Sequence, residues 1–398
     1  MKIIYIHQYY NSPGMSGSTR SHEMAKRLVE FGYDVEIITT TRNNKIHNSN
    51  FITRENGINI NWIKVNYSNH MGALERVVSF IKFAFLAYFK AIRLKGDLIF
   101  ASSTPLTVAI PGILASRYTK IPFYFEVRDL WPEIPIAMGY LKNPLLRNLA
   151  IKLENYSYKN SKGIVALSEG MKAGIVKKGY PNHKVIVIPN GADLELFDHK
   201  KSKKNEMRLK YGFNEDDIII LYPGTFGQVN NLEYLVDLAN MFKMNVNVRF
   251  VLVGDGKEKE SILNKSKMLN IFGKNIFMLD PVPKNKISDI FSMSDIVIST
   301  VLPIVELEAN SANKFFDALA SGTCMVINHG GWLEKELNDY NCGFRLPRNI
   351  DEAYAKLVPY IENRHILESM GQNARKLGEI KYSRDILAKQ LALFFENK

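Results

Sequence analysis

The chain has 398 residues, 46% of them hydrophobic, which is more than one core usually holds and too apolar for a disordered chain, so two ordinary globular domains are expected. Basic residues outnumber acidic ones 52 to 40, and the net charge of +12 favours partners that are polyanionic, phosphorylated or sited on an anionic membrane surface. Cys324 and Cys342 show no paired spacing with each other or with a histidine, which excludes a disulfide framework and a zinc site and fits a reducing cytosolic compartment.

The N-terminal MKIIYIHQYY is a short apolar run broken by His7 and Gln8, with no small-residue cleavage site, so it reads as a buried strand and not as a signal peptide. Ile3 to Ile6 form that strand, a loop from Ser12 to Thr19 follows, and Met24, Ala25, Leu28 and Val29 share one helical face that Gly32 ends. Val35 to Ile38 is the next strand, which completes a strand, helix, strand crossover. The apolar stretch Val77 to Phe89 is interrupted by Lys82 and falls well short of the roughly 20 residues that a membrane-spanning helix needs.

Further strands are expected at Leu98–Ala101, Phe123–Val127, Gly163–Leu167 and Val185–Ile188. After a lysine-rich stretch, His199 to Asn205, the opening pattern returns: an apolar run Ile218 to Leu221, a loop Pro223-Gly224-Thr225-Phe226-Gly227, and a helix face of Leu232, Leu235, Val236 and Ala239. Asn230 with Glu233 resembles a capping box at the start of that helix. Strands at Phe250–Val253, Ile276–Leu279, Ile296–Ser299 and Met325–Asn328 and an amphipathic helix from Ser383 to Glu396 complete the alternation. The fold class is therefore α/β, two Rossmann-like domains facing each other across a cleft: 1–198, with the C-terminal helix of about 380–398 packing back on it, and 205–379.

Three segments have the composition of a ligand site. The spacing Gly14-x-x-Gly17 departs from the dinucleotide fingerprint, and the second strand ends in Thr39-Thr40-Thr41-Arg42 where a nicotinamide site wants an acid, so a nicotinamide cofactor is disfavoured. The loop still allows close approach of a phosphate or sugar, or is simply a tight turn. Arg128, Asp129 and Glu133 stand at the carboxyl end of a buried strand, where open α/β sheets bind ligands, or Arg128 pairs internally with Asp129 or Glu133. In the third segment, Glu306 to Gly322, Asn310 or Ser311 caps a helix that ends at Gly322. Lys314 then falls in its first turn, where the helix dipole disfavours a cation unless an anion is bound nearby. A surface pair of Lys314 with Glu308 or Asp317 is the alternative.

In this order, Gly14-Met-Ser-Gly17, Arg128-Asp129-Leu-Trp-Pro, Ser168-Glu169-Gly-Met, Ile188-Pro-Asn-Gly-Ala-Asp193, Gly224-Thr-Phe-Gly227, Val253-Gly-Asp255-Gly256 and Asp317-Ala-Leu-Ala-Ser-Gly322 resemble a family 4 retaining glycosyltransferase of the GT-B fold, over nearly the whole chain. The resemblance implies sugar transfer from a nucleotide diphosphate sugar, without metal or other cofactor, with the donor on the C-terminal domain and the acceptor on the N-terminal one. No Asp-x-Asp metal motif occurs in the sequence. The implied donor-binding residues are Gly17, Gly224, Gly227, Asn230, Asp255, Asn310, Ser311, Asn313, Lys314 and Asp317; the implied catalytic ones are Arg128, Asp129, Glu306 and Glu308.

Two departures stand out. Members typically carry a glutamate pair; if Asp317 matches the second, the first falls on Ala309, with Glu306 and Glu308 beside it. Thr225 and Asn230 stand where members carry an Arg and a Lys, so the diphosphate contacts must lie elsewhere. The Asn-Ser-x-x-Lys and Arg-Asp-Leu-Trp-Pro-Glu segments resemble a subgroup that builds O-antigens and capsules, including N-acetyl-L-fucosamine transferases. That implies a UDP-sugar, an N-acetylated amino sugar and a polyprenyl-diphosphate-linked saccharide acceptor.

Arg76, Lys82, Lys90, Arg93 and Lys95 flank or interrupt the Val77 to Phe89 run, which either rests on an anionic bilayer, placing the enzyme on the cytoplasmic side as a peripheral protein, or is a core helix whose lysines reach solvent. The basic residues lack the aromatic interleaving of a nucleic-acid platform, so no nucleic-acid partner is expected. A GT-B nucleotide-sugar epimerase and a non-catalytic partner subunit of a glycosyltransferase are the competing functions.

Overall fold

The structure, a computed structural model, describes residues 1–15, 17–41, 50–65, 71–198 and 203–397; Ser16, Arg42 and the start of the lysine-rich stretch, 199–202, lie outside the described residues. The chain forms two compact units, one of residues 1–12, 18–189 and 387–398, the other of 13–17 and 190–386. The division between them in the main chain falls at 189/190.

The first unit is built on an eight-stranded sheet of β1 Lys2–Ile6, β2 Asp34–Thr40, β3 Phe51–Glu55, β4 Ile58–Ile63, β5 Leu98–Ser102, β6 Phe123–Val127, β7 Gly163–Ala166 and β8 Val185–Val187, in the order β3-β4-β2-β1-β5-β6-β7-β8. All its pairings are parallel except β3 with β4. Sequence reading overlooked that edge hairpin, although Asn56-Gly57 is a strong short-range hairpin signal. Both residues have positive φ, 49° and 79°, as a two-residue type I′ turn demands.

The second unit has a six-stranded, wholly parallel sheet of β9 Ile218–Pro223, β10 Val248–Val253, β11 Ile276–Leu279, β12 Ile296–Ser299, β13 Cys324–Ile327 and β14 Gly343–Arg345, in the order β11-β10-β9-β12-β13-β14. This is the doubly wound order of a dinucleotide-binding fold, with its switch point between β9 and β12. The short β14 was not expected either. Cys324 and Cys342 are both free and buried.

Strands covered on both faces have to be apolar at every position, which is why Ile3 to Ile6 and Ile218 to Leu221 read as unbroken runs and are buried throughout. The helix Arg20–Glu30 buries Met24, Ala25 and Leu28 and stops before Gly32, whose φ is 89°. The C-terminal helix Arg384–Glu396 lays Leu387, Leu391 and Phe395 into the core of the first unit, with the Phe395 ring 5.1 Å from that of Phe100.

One buried ion pair ties three parts of the first unit together. Arg20 donates to Glu126 Oε1 from Nε at 3.0 Å and from Nη2 at 2.8 Å, and also to the carbonyls of Ile188 and Pro189. Burial alone would raise the Glu126 pKa, but Arg20, Arg128 and a hydrogen bond from Ser102 bring it below the ordinary carboxylate value. Arg20→Met strands a carboxylate that is 0% exposed. It is expected to cost about 3–5 kcal/mol, and the Arg20→Met/Glu126→Gln double variant should recover most of that loss. Thermal unfolding should record a drop of roughly 10 °C for the single change.

Candidate active site

In the second unit the loops at the carboxyl ends of β9, β10, β12 and β13 converge on the helix Asn313–Ser321. Strand β9 ends at Pro223, and Gly224 turns the chain with φ +154°. Gly254, after β10, packs against it so closely that a Cβ there would lie 1.8 Å from the Gly224 carbonyl oxygen. Side chains are thereby excluded from this edge, and backbone amides stay within reach of a ligand.

Lys314 reaches back from the second position of its helix to this loop. Its Nζ stands 3.8 Å from the centroid of the Tyr222 ring, and a Cβ on Gly224 would lie 3.2 Å from it. Among the described residues no carboxylate pairs with it, so neither Glu308 nor Asp317 neutralises it. Burial lowers its pKa to about 7, well below that of an ordinary lysine. The aromatic face favours the ammonium form, yet desolvation without a counter-ion outweighs it.

The remaining candidates surround this lysine to different degrees. Asp317 is buried, and both its oxygens accept from Lys284 Nζ at 2.6 Å, so its cation is Lys284. Glu308 lies in the short 3₁₀ turn Val305–Ala309, with its carboxylate over Gly330 and its backbone oxygen 2.6 Å from where a Cβ on Gly331 would sit. Gly331 adopts φ +93°, so only glycine fits this approach without strain. Glu308 also acts on the buried His329, whose pKa is lowered chiefly by burial while Glu308 pulls it upward. Glu306 is half-buried on the same turn, and Asn313 opens the helix.

Three expectations need correction. The helix after the glycine loop is Leu232–Met241 with Asn231 at its cap, so Asn230 stands one residue too early for an Asn230–Glu233 box; its Nδ2 donates to the Thr225 carbonyl at 2.9 Å. Asn230 thus braces the Gly224–Gly227 loop. The lysine helix is preceded by Ala312, with no side-chain cap from Asn310 or Ser311. Ser311 is engaged by Asn190, whose amide and Nδ2 donate to its Oγ at 3.1 Å and its carbonyl at 2.6 Å, while the Asn310 carbonyl accepts from Trp332 Nε1 at 2.9 Å. Asp255 is largely exposed and caps its own loop through Gly256 N at 2.9 Å.

The third correction lies in the first unit. Arg128 pairs with neither Asp129 nor Glu133; Glu133 is bound by Lys178. Arg128 instead donates to His7 Nε2 at 3.2 Å and Ser18 Oγ at 3.1 Å, while its amide donates to Ser103 Oγ at 3.0 Å. A guanidinium can only donate, so His7 accepts at Nε2 and offers its Nδ1 proton to Ser21 Oγ, 2.8 Å away. Burial raises Asp129 to about 6, with Arg128 opposing. The members of this cluster that sequence reading missed, His7 and Ser103, both follow strands that flank the β1/β5 switch point, and that placement is the signal that could have found them. Gly17, with φ 117°, is exposed.

Two family descriptions match the chain: a glycosyl transferase 4-like domain over residues 17–191 and glycosyl transferases group 1 over residues 203–377. The chain belongs to the family 4 glycosyltransferases. An uncharacterized glycosyltransferase of Methanocaldococcus jannaschii is 26% identical over 246 residues, 60% of each chain, so the match spans under two thirds of that relative's length. A UDP-Gal:alpha-D-GlcNAc-diphosphoundecaprenol alpha-1,3-galactosyltransferase of Escherichia coli is 24% identical over 235 residues, 56% of this chain and 57% of its own. Among solved structures, Anabaena HepE in complex with UDP and glucose superposes with a TM-score of 0.74 at 17% identity, covering 100% of both chains. That likeness shows the fold, two Rossmann-like domains of the GT-B kind.

For this glycosyltransferase the state of Lys314 is open to a direct check. With a pKa of about 7, roughly half of its side chain is free amine at neutral pH, against about 0.04% for an ordinary lysine. Brief acetylation at pH 7, read by peptide mass spectrometry, should modify Lys314 at least about tenfold faster than the exposed Lys335.

Proposed function

We propose that the chain is a retaining, metal-independent glycosyltransferase that moves an N-acetylated amino sugar from a UDP-sugar to a polyprenyl-diphosphate-linked saccharide, in bacterial O-antigen or capsule assembly. One observation carries the donor side of this reading: Lys314 is desolvated, has no carboxylate among the described residues, and lies against the Gly224 loop at the start of a helix. Each of these features has a cost that a bound diphosphate removes. The anion restores the charge balance of the lysine, accepts from helix and loop amides, and lies at the positive end of the dipole.

In this reading the diphosphate leaves as charge builds on it, and Lys314 with the Asn313–Ser321 helix stabilises that charge. Glu306 or Glu308 takes the place of the missing first glutamate and holds the donor sugar, and Asp317, already positioned by Lys284, takes the ribose hydroxyls. On the acceptor side Arg128, held by His7 and Ser18, binds an oxygen-rich group, while Asp129 orients the acceptor hydroxyl with an affinity for its proton near neutrality. The UDP in the HepE complex and the diphosphoundecaprenol-linked substrate in the name of the E. coli relative support the choice of donor and acceptor. Among the described residues no helix is long and apolar enough to cross a membrane. Peripheral contact with the cytoplasmic face of a bilayer, through the Ala73–Leu94 helix, brings the enzyme to such an acceptor.

Lys314→Met should weaken UDP binding about 10- to 100-fold in calorimetry, the value of a charge-assisted pair in a half-buried site. Because the free lysine is protonated only below its pKa of about 7, wild-type affinity should fall as pH rises through 7, by about tenfold per unit. The methionine variant should show no such slope. UDP release that requires a lipid-linked acceptor and persists in a metal chelator is the expected result in turnover. Acceptor-independent epimerisation of the donor would defeat the transferase reading.

A further inference from the structure

The Ala73–Leu94 helix is one of three that share an outward surface. Strands β4 to β7 are joined by the crossovers that contain Ala73–Leu94, Ala109–Thr119 and Pro144–Lys159. The sheet steps in one direction, β1 to β5 to β6 to β7, and the strands are parallel. Right-handed crossovers therefore place all three helices on the same face of the sheet, with their outer sides directed the same way.

Those outer sides are apolar. Ile81 and Phe85 on the first helix are each 63% exposed, at a helical spacing that also includes exposed Val78. On the third helix Leu145 is 71% exposed and Leu149, one turn on, is 57% exposed. The helices are cross-tied: Arg117, near the end of the middle one, donates to Asn160 Oδ1 at 2.6 Å and stacks 5.4 Å from the Tyr156 ring. Isolated exposed leucines are ordinary, but two such stripes on one rigid face mark an interaction surface.

Charge selects the occupant. Lys82, Arg93, Arg117, Arg147 and Lys152 are exposed around the apolar stripes, whereas among the described residues of these helices Glu75 is the one exposed acid; Glu154 is buried and bound to Lys178. Two copies of so basic a face repel each other, while anionic headgroups neutralise it as the apolar side chains enter the acyl boundary.

We propose that the Pro144–Lys159 helix is a second membrane-docking element, which lies with Ala73–Leu94 on an anionic bilayer so that Leu145 and Leu149 insert together with Ile81 and Phe85. This rests on the placement of the chain at a membrane made above, and it is independent of the donor site. The test is flotation of full-length protein with vesicles of phosphatidylcholine, with or without about one third phosphatidylglycerol. Wild type should float only with the anionic vesicles. Leu145→Ser/Leu149→Ser should bind them at least about tenfold more weakly, as should Ile81→Ser/Phe85→Ser. Arg147→Glu/Lys152→Glu, which leaves the apolar side chains in place, should lose binding as well. All three variants should retain wild-type UDP affinity, which separates this proposal from the donor-site reading and shows that the variants are folded. Wild-type flotation by the Leu145/Leu149 variant overturns the proposal. So does a wild type that ignores both vesicles and is a dimer that these substitutions turn into monomers.

Discussion

Parallel pairing is the constraint from which the rest follows. In the second unit every strand runs the same way, and in the first only the β3 edge runs against its neighbour. Parallel strands must be buried on both faces, and each needs a helical crossover to return the chain, so every polar loop that follows a strand emerges at one edge of its sheet. His7, Ser103 and Arg128 are gathered in this way in the first unit, and Gly224, Gly254 and His329 in the second. None of these residues is near its partners in sequence; the topology alone assembles them.

At the edge of the second sheet the chain accepts a local penalty. Lysine is rarely desolvated without a partner, and the Tyr222 ring only partly replaces the water that Lys314 has lost. By contrast, Lys284 and Asp317, one helical turn from Lys314, satisfy each other, and so do Arg20 and Glu126 in the first unit. These two buried pairs support the fold, whereas Lys314, with no carboxylate partner among the described residues, stands at a glycine loop and a helix start. In the proposed reading such an imbalance marks a site prepared for an anion. The same reading accounts for Thr225 and Asn230 in the loop, since Lys314 brings a cation to the Gly224 turn.

The order of the elements was legible because buried strands and amphipathic helices leave strong periodicities, and strands such as Phe123–Val127 and Ile296–Ser299 fall where the pattern put them. The edge strands were not, because Phe51–Glu55 is half exposed and carries no continuous apolar run, and Gly343–Arg345 has only three residues. Caps were misread at Asn230, Asn310 and Ser311 because the helices start later than these polar residues suggest, after Asn231 and Ala312, and the Ser311 Oγ is already claimed by the Asn190 amide. Of the site, Lys314 was legible from its misfit with the helix dipole. Its burial on Tyr222 and its lack of a carboxylate depend on contacts that no local pattern encodes. The same holds for the neutral His7 that holds Arg128.

Lys314 and the Gly224 loop are proposed to receive the donor diphosphate, and a crystal structure of the protein soaked with UDP tests this placement. A phosphate oxygen should lie within hydrogen-bond distance of Lys314 Nζ, with further oxygens facing the amides of the Gly224–Gly227 loop or the first turn of the Asn313–Ser321 helix. A nucleotide bound with its phosphates elsewhere, and Lys314 unchanged on the Tyr222 ring, would contradict it.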